Sequence, residues 1–200
     1  LAIRERAMRR SLAPETYGSQ GPVVLFLGTS QLWGSGAQQR QDRVIAQLAR
    51  LRSGYRLVNG SRWGSNCAAL EKRYRQELAA LKPALVVLDL GHNDQNNPHF
   101  AEQLETLVQS CRPSPVVLLC EANTGEVPLP VELQRAHGIL RQTARRHGLP
   151  CLELDAWLRR PERLSNGIMW CDLVHLTSYG QAEMADFLAQ GLPWPVQNKP

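Results

Sequence analysis

The sequence predicts an α/β fold: a three-layer α/β/α sandwich built on a five-stranded parallel sheet. Three observations carry that reading. Short apolar runs alternate with amphipathic, helix-length stretches along the whole 200 residues. The run at 84–90 (ALVVLDL) is almost continuously apolar, as expected of a central strand covered on both faces. Connections are short, with no internal repeat and no low-complexity linker, so the chain reads as one domain.

The elements follow in order. Residues 23–27 form a compact β-rich run ended by Gly28. Residues 38–51 place Val44, Ile45, Leu48 and Leu51 at helical spacing with charges between them. A short strand at 55–58 runs into Asn59-Gly60. A second helix spans 67–81, with Leu70, Tyr74, Leu78 and Leu81 on one stripe, and Pro83 stops it. After the strand at 84–90 come a helix near 99–110, a strand at 116–120, a helix near 131–147 ending at Gly148, and a strand near 151–154. The last helix covers about 178–190, opened by Thr177 or Ser178 as N-cap and closed near Gly191. The core domain is therefore 23–191, with a lead-in at 1–22 and a Pro-rich tail at 192–200.

Composition narrows the function classes. With 43% hydrophobic and 20% charged residues the chain is neither disordered nor collagen-like. A domain of this size holds a core without metal or disulfides. The net charge of +5 is concentrated at one end, because Arg4, Arg6, Arg9 and Arg10 face only Glu5. The remainder is nearly balanced, so no nucleic-acid partner is expected. The five cysteines (67, 111, 120, 151, 171) have no CxxC or Cys/His metal spacing. Cys120 and Cys151 read as buried small hydrophobes, and their disulfide state stays open. No metal and no cofactor are expected. A nucleotide site lacks its residues, since neither GxGxxG nor a phosphate-cradling GxxxxGK follows the first strand.

In an open parallel sheet, ligands bind beyond the carboxyl ends of the strands. Those positions carry Gly28-Thr29-Ser30-Gln31, Asn59-Gly60-Ser61-Arg62-Trp63-Gly64, Gly91-His92-Asn93-Asp94 and, before the last helix, Trp170-Cys171-Asp172-Leu173-Val174-His175. Nucleophile, base, orienting acid and oxyanion donors thus gather at one edge. Each fragment alone has a plainer reading: a turn and helix cap at Ser30, an Asx turn at Asn93, a surface pair at Asp172 and His175. Their coincidence at four places favours catalysis.

The four segments together resemble the SGNH/GDSL hydrolase superfamily. VVLFLGTSQLWGSG is similar to its first block, NGSRWGSN to the second, GHND to the third and DLVH to the fourth, over residues 23–180. The one departure is Thr29, where many members have Asp. The resemblance implies a flavodoxin-like fold and a catalytic triad of Ser30, Asp172 and His175. It also implies an oxyanion hole from the Ser30 and Gly64 backbone N–H groups and the Asn93 amide. The implied activity is carboxylic ester hydrolysis through an acyl-enzyme on Ser30, with a small-molecule, glycan or lipid ester as substrate. The alternative is a carbohydrate O-acetyltransferase or O-deacetylase using the same residues. A non-catalytic binding domain has no need of the three together. Similar bacterial proteins are often exported or membrane-tethered, which implies an extracytoplasmic location and an anchor upstream of Leu1.

Further candidates flank the blocks. Trp33, Trp63 and Trp170 are expected to wall an acyl or sugar pocket, with core packing as the even alternative. His92 is a pocket candidate, with a structural hydrogen bond as its alternative. Glu121, after the fourth strand, is a candidate supporting or substrate contact. His99, His137 and His147 are expected at the surface.

Overall fold

The computed structural model of the protein describes residues 13–121, 129–158, 160, 168–172 and 174–197. The arginine-rich start and the last three residues lie outside the described residues. Thirteen elements are labelled below. They are β1 (Glu15–Tyr17), β2 (Val23–Gly28), α1 (Ser30–Trp33), α2 (Val44–Leu51), β3 (Arg56–Asn59), α3 (Cys67–Arg73), β4 (Leu85–Leu90) and α4 (Phe100–Ser110). There follow β5 (Val116–Cys120), α5 (Val131–His147), β6 (Cys151–Glu153), α6 (Leu154–Leu158) and α7 (Ser178–Gly191). The second long helix of the sequence reading is a composite, since α3 continues through a π turn at Tyr74–Leu78 and a 3₁₀ turn at Ala79–Leu81.

The sheet order is β1-β3-β2-β4-β5-β6. The five expected strands, β2 to β6, run parallel, and β3-β2-β4-β5-β6 is the order of the flavodoxin-like doubly wound folds. The correction is a sixth strand. β1 pairs antiparallel with β3, Glu15 opposite Asn59 and Tyr17 opposite Leu57. It arises within the stretch read as a lead-in. Three residues are too few to show an alternation, and the neighbouring Pro and Gly read as loop. The tail is likewise docked: Trp194 stacks on Tyr55 with ring centroids 4.8 Å apart, and the Tyr55 hydroxyl donates to Pro195 O at 2.9 Å.

Strand alternation divides the core into two faces. Val24, Phe26, Leu57, Val87, Val117 and Leu119 face α2, α6 and α7. Leu25, Leu27, Val58, Val86, Leu88 and Leu118 face α3, α4 and α5. Every residue of β4 is buried, which explains its continuous apolar run. Among the described residues no helix is long and apolar enough to cross a membrane.

The order reverses about β2, since the chain passes first to β3 on one side and then to β4 on the other. The loops after β2 and β4 therefore part at their carboxyl ends and leave a crevice there. At this point β2 and β4 approach closely. A Cβ on Gly28 would stand 2.7 Å from Asp89 Cβ and 3.0 Å from Leu32 Cδ1, so only glycine fits. We predict that Gly28→Ala lowers unfolding free energy by about 1–3 kcal/mol through overpacking. Urea denaturation measures this, and an unchanged midpoint contradicts the close contact.

Candidate active site

Gly28 ends β2 and Thr29 caps the next turn, its Oγ1 accepting from Gln31 N at 3.4 Å, so that Ser30 begins α1. Ser30 is nearly buried, yet its hydroxyl meets a histidine 145 positions further along the chain. His175 Nε2 lies 3.1 Å from Ser30 Oγ, and His175 Nδ1 lies 2.8 Å from Asp172 Oδ2. The histidine is held by a local fold. Trp170 bridges Leu176, Cys171 N–H donates to His175 O at 3.0 Å, and Thr177 N–H donates to Met169 O at 3.0 Å. Asp172 Oδ1 accepts the backbone N–H groups of Val174 and His175, both at 2.6 Å, which fixes the carboxylate beneath the ring. Burial alone would raise the Asp172 pKa. The His175 ring and these two backbone donors outweigh it and hold the carboxyl below its usual range.

The other segments are stitched to this pair. Gln31 Nε2 donates to Val174 O, joining α1 to the histidine loop. Asn59 Nδ2 donates to Leu32 O at 2.8 Å, and Arg62 N–H donates to Gly28 O at 3.1 Å, tying the loop after β3 to the turn that carries Ser30. Gly64 takes a left-handed φ of +70°, which only glycine adopts without strain. Asn93 is exposed, and its Nδ2 donates one hydrogen to Ser65 O at 2.7 Å. An amide nitrogen carries a second hydrogen. Asp94 is buried, with both oxygens 3.1 Å from Cys67 N at the start of α3. Ser30, His175 and Asp172 are thus brought together, and Asn93 reaches the loop that bears Gly64.

The flanking candidates separate. Trp63 is 45% exposed beside Gly64. Trp33 is half-buried beneath the Arg43 guanidinium, which lies 4.4 Å from its ring centroid. It also lines a small polar cleft with Glu15, Asn59, Ser61, Arg62 and Arg73. Trp170 is half-buried against the core face shared with α7, the packing alternative. His92 is half-buried, and its backbone N–H donates to Glu121 Oε1. Of the two roles expected of Glu121, its 0% exposure leaves the supporting one. One expectation needs correction. His137 is 1% exposed, because it lies on the inner stripe of α5 and its ring lines the far side of Gly91. Of the other surface histidines, His99 is exposed, while His147 is largely covered and paired with Glu105.

All five cysteines are free thiols. Among the described residues one cluster, Cys120, Cys151 and Glu153, has atoms close enough to share a metal ion. Its carboxylate is already bridged to Arg141 at 2.7 and 2.8 Å, which leaves two thiols 3.8 Å apart. The sequence reading missed Asp89. It passed as one polar letter in a strand, yet it is wholly buried near Glu121. Burial, then the neighbouring Glu121, pushes the Asp89 pKa well above the usual range. Burial pushes Glu121 up to about 7.

A match to the GDSL-like Lipase/Acylhydrolase family covers residues 26–183. The chain belongs to this family. It is accordingly a hydrolase of ester bonds. No match was found among curated proteins. Solved structures share the fold at low identity. A lipase/acylhydrolase from Enterococcus faecalis is 16% identical with a TM-score of 0.73, over 84% of this chain and 94% of that one. An acetylxylan esterase from Geobacillus stearothermophilus is 18% identical with a TM-score of 0.72, over 88% and 96%. A G-D-S-L family lipolytic protein from Desulfitobacterium hafniense is 16% identical with a TM-score of 0.74, over 85% and 99%.

The buried acids give this hydrolase a signed pH dependence. Folded-state pKa values raised above the unfolded ones mean that the unfolded chain releases these protons first. Their destabilisation is absent below the ordinary carboxyl range and grows as pH rises toward the raised values. We predict that the urea midpoint falls between about pH 5 and pH 8, and that Asp89→Asn/Glu121→Gln flattens the fall. A flat wild-type profile contradicts it.

Proposed function

We propose that the enzyme hydrolyses carboxylic esters through an acyl-enzyme on Ser30, with His175 as base and Asp172 as orienting acid. The observation that carries the reading is the unbroken hydrogen-bond relay from Ser30 Oγ through both ring nitrogens of His175 to Asp172. A serine hydroxyl is a weak nucleophile until a neighbour takes its proton. Here Ser30 Oγ attacks the ester carbon as its proton passes to His175 Nε2. Asp172 holds the tautomer with the proton on Nδ1 and stabilises the imidazolium that forms.

The carbonyl oxygen gains charge and is met by the Ser30 N–H, the Gly64 N–H and the second hydrogen of Asn93 Nδ2. Collapse breaks the bond to the alcohol, which leaves with the proton from His175. Water then adds to the acyl carbon, giving its proton to His175; the bond from Ser30 Oγ to the acyl carbon breaks, His175 returns the proton to Ser30 Oγ, and the carboxylic acid leaves. Each oxyanion donor is worth about 10²–10³ in kcat.

The substrate we favour is a short acyl ester on a carbohydrate. Trp63, exposed next to Gly64, offers an aromatic face at the rim of the site. The fold's likeness to an acetylxylan esterase agrees with this. Ser30→Ala is expected to abolish p-nitrophenyl acetate hydrolysis with unchanged circular dichroism. A serine-directed phosphonate is expected to label Ser30, and label elsewhere reassigns the nucleophile. A panel of acetylated xylo-oligosaccharides and longer acyl esters, with and without a sugar acceptor, reads the substrate. Net transfer of acetyl to the acceptor in preference to water overturns hydrolysis.

A further inference from the structure

The proposed mechanism uses no group beneath the site, yet the structure buries a carboxylate there. Glu121 follows the last residue of β5, Cys120, and is wholly buried near Asp89 of β4 and Asp155 of α6. Its two oxygens serve two different loops. Oε2 accepts the Thr29 hydroxyl at 2.7 Å, and Oε1 accepts the His92 backbone N–H. Thr29 immediately precedes Ser30, and His92 immediately precedes Asn93.

The surroundings do not favour a carboxylate for stability. The titratable groups facing Glu121 are Asp89 on β4, Asp94 after it and Asp155 on α6, with His137 of α5 across Gly91. Three acids next to a buried carboxylate raise the cost of its charge, and burial of an ionisable group is costly even alone. Between Asp89 and Glu121, Glu121 bears the charge more readily, because two donors already point at it. The geometry that this arrangement secures is the distance between two loops that share no strand.

We propose that Glu121 is a positioning residue: a buried strut that sets the nucleophile turn against the turn carrying Asn93, one oxygen on each. Thr29, the position at which this chain departs from the family's usual Asp, supplies the hydroxyl that the strut needs. An aspartate there would place another carboxylate against Glu121, whereas a threonine donates to it and still caps Gln31 N–H. The inference rests on the serine-hydrolase reading of Ser30 and Asn93.

Glutamine can replace the strut. Its Oε1 accepts from His92 N–H, and its Nε2 donates to Thr29 Oγ1, which has a free lone pair. Leucine fills the volume and joins neither loop. Steady-state kinetics with p-nitrophenyl acetate and phosphonate labelling of Ser30 are measured on the full chain. Glu121→Leu is expected to lower kcat by about 10–10² with KM unmoved, the effect of a misplacement near 1 Å. Glu121→Gln is expected to restore kcat to within about fivefold, the worth of one ordinary hydrogen bond. A wild-type kcat in Glu121→Leu, a loss confined to KM, or a Glu121→Gln enzyme as slow as Glu121→Leu overturns the strut.

Should Glu121→Leu not fold, Thr29→Val cuts one arm, and it must show the same loss of kcat at constant KM. If the wild type neither turns over the ester nor takes the label, the serine-hydrolase reading has failed on its own account. The amide resonances still test the strut. Thr29→Val is then expected to shift the Asn93 backbone N–H signal on the far side of the strut, and an unmoved Asn93 signal overturns it.

Discussion

Everything in this molecule converges on one hydrogen bond, from Ser30 Oγ to His175 Nε2, between residues 145 positions apart. It joins the end of the first parallel strand to the loop before the last helix. It can form only because β2 lies at the centre of the sheet and α7 returns across the same face as α2. The Gln181 side chain locks that return, accepting from Val44 N at 2.9 Å and donating to Ser35 O at 3.1 Å. The apolar layers thus supply the position, and a few buried amides supply the register.

The polar groups at the sheet edge form a second layer of order above the core. Each loop is held by side chains from another loop: Asn59 on Leu32, Gln31 on Val174, Asn93 on Ser65, Asp94 on Cys67. Such contacts specify geometry more than they add stability, since each exchanges a water hydrogen bond for a protein one. Asp172 shows the same division at an exposed position. Its side chain is about half open to solvent, so its value lies in aiming His175 more than in holding the fold.

Much of the architecture was legible in the sequence. The central parallel strands β2, β4 and β5 announced themselves as short apolar runs, because both their faces are covered and burial requires it. Thr177 was readable as an N-cap and accepts from Gly180 N at 3.2 Å. Ser30, His175 and Asp172 were legible because each sits just past a strand or before a helix. Other features left no local signal. β1 is three residues long and pairs with a strand far along the chain. His137 looks like a surface residue until the helix is rotated onto the sheet. Asp89 and Glu121 are separated by a whole strand–helix–strand unit, so only the β4–β5 register brings them together. The metal-like spacing of Cys120, Cys151 and Glu153 is likewise a product of β5–β6 pairing.

If Ser30 and His175 act as one unit, removing either destroys the same step. The direct measurement is kcat/KM for Ser30→Ala, His175→Ala and the double variant, with the uncatalysed rate subtracted. The account predicts that the double variant is no slower than the slower single one, the non-additivity of residues that act together. Losses that multiply in the double variant would contradict it, because they would mean that the two side chains contribute independently.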